Sequence, residues 1–156
     1  MNYVITLHSK IDAKDEEEAK VKALAQIQVR EATPLVVLPI NAYECVKEYR
    51  DKKKEYFITI LLNTQNEIIR TEIISVGTLN ASLIHPREVF EPAIRHLASH
   101  VLLCHNHPSG SLEPSNEDLT VTKRLSDSGR LLGIEVIDHL LFTSTGFFSF
   151  REHHLL

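Results

Sequence analysis

No apolar run in this 156-residue chain approaches the roughly twenty residues needed to cross a bilayer. The N-terminus, Met1 to Lys10, has no basic start leading into a long apolar stretch, so neither a membrane span nor a secretory leader is expected, and the cytoplasm is the default location. Only two cysteines occur, Cys45 and Cys104, both in apolar context and without a C-x-x-C pair. They are expected as buried free thiols in a reducing compartment, not as a disulfide framework. There is no excess of positive charge: the formal net charge is -4, which gives no electrostatic reason for strong nonspecific binding to nucleic acid, although a local basic patch is compatible with that total. Repeats and low-complexity tracts are absent. So is H-E-x-x-H, and so is the H-x-E with P-C-x-x-C pattern of zinc deaminases.

What is present is the composition of an ordinary single globular domain, 43% hydrophobic and 24% charged. Asp12 to Glu31 carries Val21, Leu24, Ile27 and Val29 at helical spacing behind an acidic first turn, Asp15 to Glu18, and predicts an amphipathic helix that Thr33-Pro34 breaks. Pro34 to Ile40 is a short apolar segment with the character of a strand. Asn41 is placed to cap a second helix, Ala42 to Lys52. The run Lys52-Lys53-Lys54 reads as its solvated end. The pattern then turns to period two. Glu55 to Leu62 and Glu67 to Ser75 predict two strands joined by a hairpin loop, Asn63 to Asn66.

Pro86 opens a helix with Val89, Phe90, Ala93, Ile94, Leu97 and Ala98 on one face. Val101 to Cys104 is a buried strand running into His105. A loop at Pro108 to Ser111 leads to a helix from about Asn116 that stops near Gly129 or Gly133. Strands at Ile134 to Thr143 and Gly146 to Phe150 complete the pattern. Helices alternating with strands predict an α/β fold, a mixed β-sheet flanked by helices.

One stretch carries chemistry. His105 and His107 stand two apart at a strand end, and in extended backbone such side chains share a face. Two neutral imidazoles can then meet one zinc ion at roughly 2.0–2.1 Å, with a third protein ligand and a water completing a catalytic site. Asp118, across one loop in the first turn of the next helix, is placed to be that ligand. Ser115 with Asp118 also has the form of a helix cap with an acidic third residue, and capping alone accounts for both. The two roles are compatible.

His105-x-His107-Pro108 followed by Ser115-x-x-Asp118, with ten residues between His107 and Asp118, resembles the signature of JAMM (MPN-type) zinc metallopeptidase domains. The longer run His105-Asn106-His107-Pro108-Ser109-Gly110…Pro114-Ser115…Asp118 is similar to the RadC-like branch, as are Gly77-Thr78-Leu79, His85-Pro86-Arg87-Glu88 and Gly133-Ile134…Asp138-His139. The likeness runs from about Glu55 to Phe150, roughly two thirds of the chain.

It implies a JAMM/cytidine-deaminase-like fold over residues 55–156, with residues 1–54 as a helical and strand extension that packs on or completes it. It also implies one zinc ion on His105, His107 and Asp118, and a glutamate base on the first strand, for which Glu55 stands in the matching place. Glu88 is the rival, but in the first turn of a helix the dipole explains it. Ser115 is implied as a hydrogen-bond donor to the developing oxyanion. Asp138 or a backbone carbonyl is the expected support for the imidazoles, and His139 is expected as a satisfied interior histidine.

Three functions follow from the resemblance. The first is a zinc hydrolase cutting a peptide or isopeptide bond in an unknown peptide or protein substrate. The second is a DNA-repair or recombination accessory. Full-length relatives carry a glycine-containing helix-hairpin-helix for that role, whereas the first glycine here is Gly77. The third is a non-catalytic, metal-stabilised interaction domain. Oligomeric state is not legible.

Overall fold

The computed structural model describes residues 3–6, 28–31, 33–77 and 84–156. They fall into two compact units, Met1–Pro34 and Leu35–Leu156. In the first, β1 (Tyr3–Thr6) pairs antiparallel with β2 (Gln28–Glu31), Tyr3 opposite Glu31 and Thr6 opposite Gln28. The helix expected over Asp12 to Glu31 is therefore wrong at its C-terminal end. Strand pairing with residues far back in the chain overrides a local periodicity, which contains no information about a distant partner. The rest of that expected helix lies outside the described residues.

In the second unit a five-stranded mixed sheet has the order β4-β3-β5-β6-β7. The strands are β3 (Glu55–Leu62), β4 (Ile68–Gly77), β5 (His100–Asn106), β6 (Glu135–Phe142) and β7 (Phe147–Ser149). β3 runs antiparallel to both β4 and β5, β5 is parallel to β6, and β7 returns antiparallel. The helices are α1 (Pro39–Cys45), α2 (Pro86–Arg95) and α3 (Asn116–Leu132). The expected α/β architecture is thus the observed one.

Period-two alternation explains how one sheet buries both faces. Phe57 and Leu61 of β3 and Val101 and Leu103 of β5 join Val89, Phe90 and Ala93 of α2 and Val121 and Leu125 of α3 in one core. The intervening residues, Ile58, Ile60, Leu62, Leu102 and Cys104, join Ala42 and Tyr43 of α1 in the other. Odd-numbered residues of β3 and β5 therefore look toward α2 and α3. No helix among the described residues is long and apolar enough to cross a membrane.

The start of this unit departs from expectation. Pro34 to Ile40 forms no strand; Leu35 makes a single bridge to Glu67, and Pro39 already opens α1, as proline's fixed φ favours. Asn41 sits inside the helix and not ahead of it. Its Oδ1 accepts from the backbone N–H groups of Val37 (3.2 Å) and Leu38 (2.9 Å), so it ties down the entry turn. The helix ends at Cys45 and a 3-10 turn follows, Lys47–Tyr49, in place of a continuation to Lys52. Arg50 holds that reversal: it donates to the Tyr43 carbonyl (2.6 Å) and to Glu44 (2.9 Å), and lies 3.5 Å over the Tyr43 ring.

Candidate metal centre

β5 continues two residues past its expected end, so His105 lies within the strand and His107 just beyond it. The N–H of His107 still donates to the Phe142 carbonyl (2.8 Å), extending the β5–β6 ladder and keeping the backbone straight through the pair. His105 and His107 consequently face the same side, toward α3. Ser115 caps α3 reciprocally. The Asp118 N–H donates to Ser115 Oγ (3.1 Å), while Asp118 Oδ2 accepts from the Ser115 N–H and hydroxyl, both at 2.7 Å. That leaves Oδ1 of Asp118 turned to the strand end, 3.1 Å from His105 Nε2. The two Nε2 atoms are 2.9 Å apart, and His107 Nε2 is 3.7 Å from Asp118 Oδ2. His105 and Asp118 are buried, and His107 is 13% exposed.

Ligand atoms of His105, His107 and Asp118 lie within 4.8 Å of one another. Tetrahedral zinc with bonds of about 2.0–2.2 Å spaces its ligand atoms about 3.3–3.5 Å apart, so the three groups fit one such ion with little movement. Electrostatics favour it as well. Burial acts to raise the Asp118 pKa, but the contact with His105 and the bonds from Ser115 outweigh it and hold the carboxyl far below its usual range. Burial, reinforced by His105, lowers the pKa of His107, against the opposing pull of Ser111, Asp118 and Glu55. The centre therefore offers an anionic carboxylate and neutral imidazole.

Glu55 heads β3 two residues before Phe57, which pairs directly with His105. His107 follows that rung by two residues, and Glu55 is near enough to act on its charge. It is half-buried and lines a cavity of about 400 Å³ with Lys53, Lys54, Gly77, Pro108 and Ser109. A second cavity of about 240 Å³ reaches His107 and Pro108, walled in part by Lys52, Lys53, Thr143 and Ser144. Glu88, the rival base, is exposed in the first turn of α2 and outside the cluster.

The supports of the imidazoles are only partly the expected ones. The Ser111 carbonyl accepts from His107 Nδ1 (2.9 Å). Asp138 plays no such part, since its oxygens take the Ser149 hydroxyl (2.6 Å) and the backbone N–H groups of His139 (2.7 Å) and Arg151 (3.0 Å). His139, expected only as an interior residue, meets His105 Nδ1 with its Nε2 at 2.9 Å, and its Nδ1 meets Thr122 Oγ1 at 2.6 Å. Two further residues escaped sequence reasoning, Thr122 and Asn106. Asn106 accepts from the Tyr56 N–H (2.6 Å) and donates to the carbonyls of Lys54 (3.0 Å) and Lys52 (3.4 Å), which fixes the chain on both sides of Glu55. A buried polar residue inside an apolar strand was the available signal for both His139 and Asn106.

Comparison with known proteins gives consistent results. The model of a family described as the RadC-like JAB domain matches residues 38–155. A UPF0758 protein of Clostridioides difficile is 43% identical over 146 residues, 90% of this chain and 62% of that protein. UPF0758 proteins of Rubrobacter xylanophilus and Alkaliphilus metalliredigens are 55% identical over 103 residues and 50% over 111. Those matches cover 66% and 71% of this chain and 45% and 48% of the relatives. The chain thus spans about half the length of most of the curated relatives it matches.

Proposed function

We propose that this chain, which belongs to the family of RadC-like JAB domains, is a zinc-dependent hydrolase of the JAMM type that cleaves a peptide or isopeptide bond. The observation that carries the reading is the convergence of His105, His107 and Asp118 within 4.8 Å, with Glu55 at the rim beside His107. His105, His107 and Asp118 would hold the ion. A zinc ion there supplies a Lewis acid for the scissile carbonyl and brings the pKa of water toward neutrality.

The protein's own residues do the rest. Glu55 takes a proton from the attacking water and delivers it to the departing nitrogen. The Ser115 hydroxyl, bonded to Asp118 in this geometry, turns to the oxyanion as charge develops there. Burial of His105 and Asp118 would strengthen their hold on the ion by excluding solvent, while Ser115 is exposed and Glu55 half-buried, open to a substrate.

The test combines metal analysis with hydrolysis of a panel of fluorogenic peptides and isopeptide-linked peptides. Expected are one zinc per chain in the wild type, loss of zinc in His107→Ala, and retained zinc with hydrolysis lost in Glu55→Gln. Zinc bound with no cleavage across the panel favours the metal-stabilised interaction domain. A salt-dependent shift of duplex DNA with no zinc bound favours the accessory role in DNA repair.

A further inference from the structure

We infer that Thr122 and His139, which lie outside the proposed ligand set, fix the tautomer of His105 and thereby direct its Nε2 lone pair at the metal centre. The inference rests on the proposed zinc site and concerns how this chain prepares it.

The assignment follows from counting protons along one chain of contacts. The Thr122 hydroxyl lies 2.6 Å from the backbone carbonyl of Asp118, one turn back in α3. A carbonyl only accepts, so the single hydroxyl proton points there. Thr122 Oγ1 is then left as an acceptor, and the atom facing it at 2.6 Å, His139 Nδ1, is the donor. His139 is wholly buried, stacked on Phe150 at 4.7 Å and edge-on to Phe57 at 5.5 Å. An apolar enclosure of that kind disfavours an imidazolium, so the ring has one N–H and one lone pair. With the proton on Nδ1, the lone pair is on Nε2, 2.9 Å from His105 Nδ1. His105 must donate that bond, and its Nε2 is thereby presented to Asp118 and His107.

On the other side the Ser111 carbonyl requires a proton on His107 Nδ1, which leaves His107 Nε2 without one when that ring is neutral. Two bare nitrogens 2.9 Å apart repel each other unless a proton or a metal ion sits between them, so zinc takes the place of a proton there. The chain of contacts also comes back to its starting residue. It leaves from the Asp118 backbone, passes through Thr122 and His139, and ends on His105, whose Nε2 lies 3.1 Å from the Asp118 carboxylate, so α3, β6 and β5 hold the same centre in register.

Thr122→Val separates this role from simple packing, because the side chains have nearly the same shape and the Thr122 hydroxyl bonds His139 and the Asp118 backbone carbonyl but neither proposed imidazole ligand. Without the hydroxyl, the favoured His139 tautomer carries its proton on Nε2, donates it to His105 Nδ1, and forces the His105 proton onto the ligand nitrogen. Zinc affinity, read by competition with a chromophoric chelator, is expected to fall about 10- to 100-fold in Thr122→Val and to stay within about threefold of wild type in Thr122→Ser. Nitrogen–proton correlation spectra of the metal-free protein are expected to show the His139 proton on Nδ1 in wild type and on Nε2 in Thr122→Val.

Zinc binding by Thr122→Val within about twofold of wild type, or a wild-type His139 protonated on Nε2, overturns the inference and leaves the hydrolase reading standing. A wild-type protein that takes up no zinc but shows the expected tautomers in both forms overturns the hydrolase reading and supports the tautomer assignment.

Discussion

Asn106 is the residue whose replacement best separates folding from metal binding. Pairing of β3 with β5 ends at Phe57 opposite His105, and beyond that rung the Asn106 side chain takes over the work of a strand. Its Oδ1 receives the Tyr56 N–H at 2.6 Å, and its Nδ2 reaches the carbonyls of Lys54 at 3.0 Å and Lys52 at 3.4 Å. Asn106 is wholly buried, and Tyr56 is partly so. In Asn106→Ala the Tyr56 N–H loses its partner, a cost of about 1–3 kcal/mol for a sheltered donor. The Lys52 and Lys54 carbonyls lie at exposed residues and recover water, so they add about 1 kcal/mol at most. The expected loss is about 1–4 kcal/mol, or roughly 2–16 °C in Tm for a chain of this size.

Neither His105 nor Asp118 bonds to the Asn106 side chain, so zinc affinity should stay within about threefold. Glu55 sits between the anchored residues Lys54 and Tyr56, so hydrolysis should fall by at least tenfold. Denaturant unfolding, chelator competition and peptide cleavage on one preparation give the three numbers. A variant as stable as wild type to within about 0.5 kcal/mol would refute the ladder argument. One that loses zinc as completely as His107→Ala would refute the separation of anchor from ligand.

Other perturbations have equally definite outcomes. Asp118→Asn keeps the capping oxygen but removes the anionic ligand, and should abolish stoichiometric zinc while costing under about 1.5 kcal/mol of metal-free stability. In the metal-free protein, burial lowers the pKa of both His107 and His139 beneath the ordinary 6.5. The unfolded chain therefore binds more protons just below that pH, and stability present above 6.5 should be lost as pH falls through it. Asp118 acts in the same sense at lower pH: its depressed carboxyl contributes stability above 3.8 that fades with further acidification. A flat melting temperature between pH 7.5 and 5 would contradict this. Gly129→Ala should destabilise by about 2 kcal/mol or more despite alanine's better helix propensity. A Cβ there would come within 2.4 Å of the Ile134 carbonyl and 3.0 Å of the Phe90 ring, and unchanged thermal unfolding would remove the packing argument.

The parts of this molecule that were readable from sequence are those specified locally. β3 begins and ends where its period-two pattern does, and α3 begins at the residue after its Ser115 cap. The His105 and His107 pair shares a face because strand geometry requires it. What escaped was set by distant partners. Gln28–Glu31 became a strand through pairing with Tyr3–Thr6, and α1 stopped early because Arg50 folds back on Tyr43. His139 and Thr122 could not be connected to His105 without the parallel pairing of β5 with β6 and the packing of α3 on that sheet. Asp138 attracted notice as the more polar neighbour, yet its side chain holds the turn through Ser149 and Arg151.

The two readings of Ser115-x-x-Asp118, helix cap or ligand, are a single arrangement. A capping box asks one bond of its acidic residue, accepted from the backbone N–H of the cap. Here Oδ2 alone takes both bonds from Ser115, and the short aspartate side chain leaves Oδ1 facing His105 across 3.1 Å. The cap therefore fixes the rotamer of the carboxylate before any cation arrives, and the ordering entropy is met by folding of the helix. The same logic applies to the imidazoles. His107 is aimed by a loop carbonyl, and His105 by a buried histidine that answers to the helix carrying Asp118. Each proposed ligand is oriented by a bond made for structural reasons, so a centre of this precision needs few residues beyond those that build the fold.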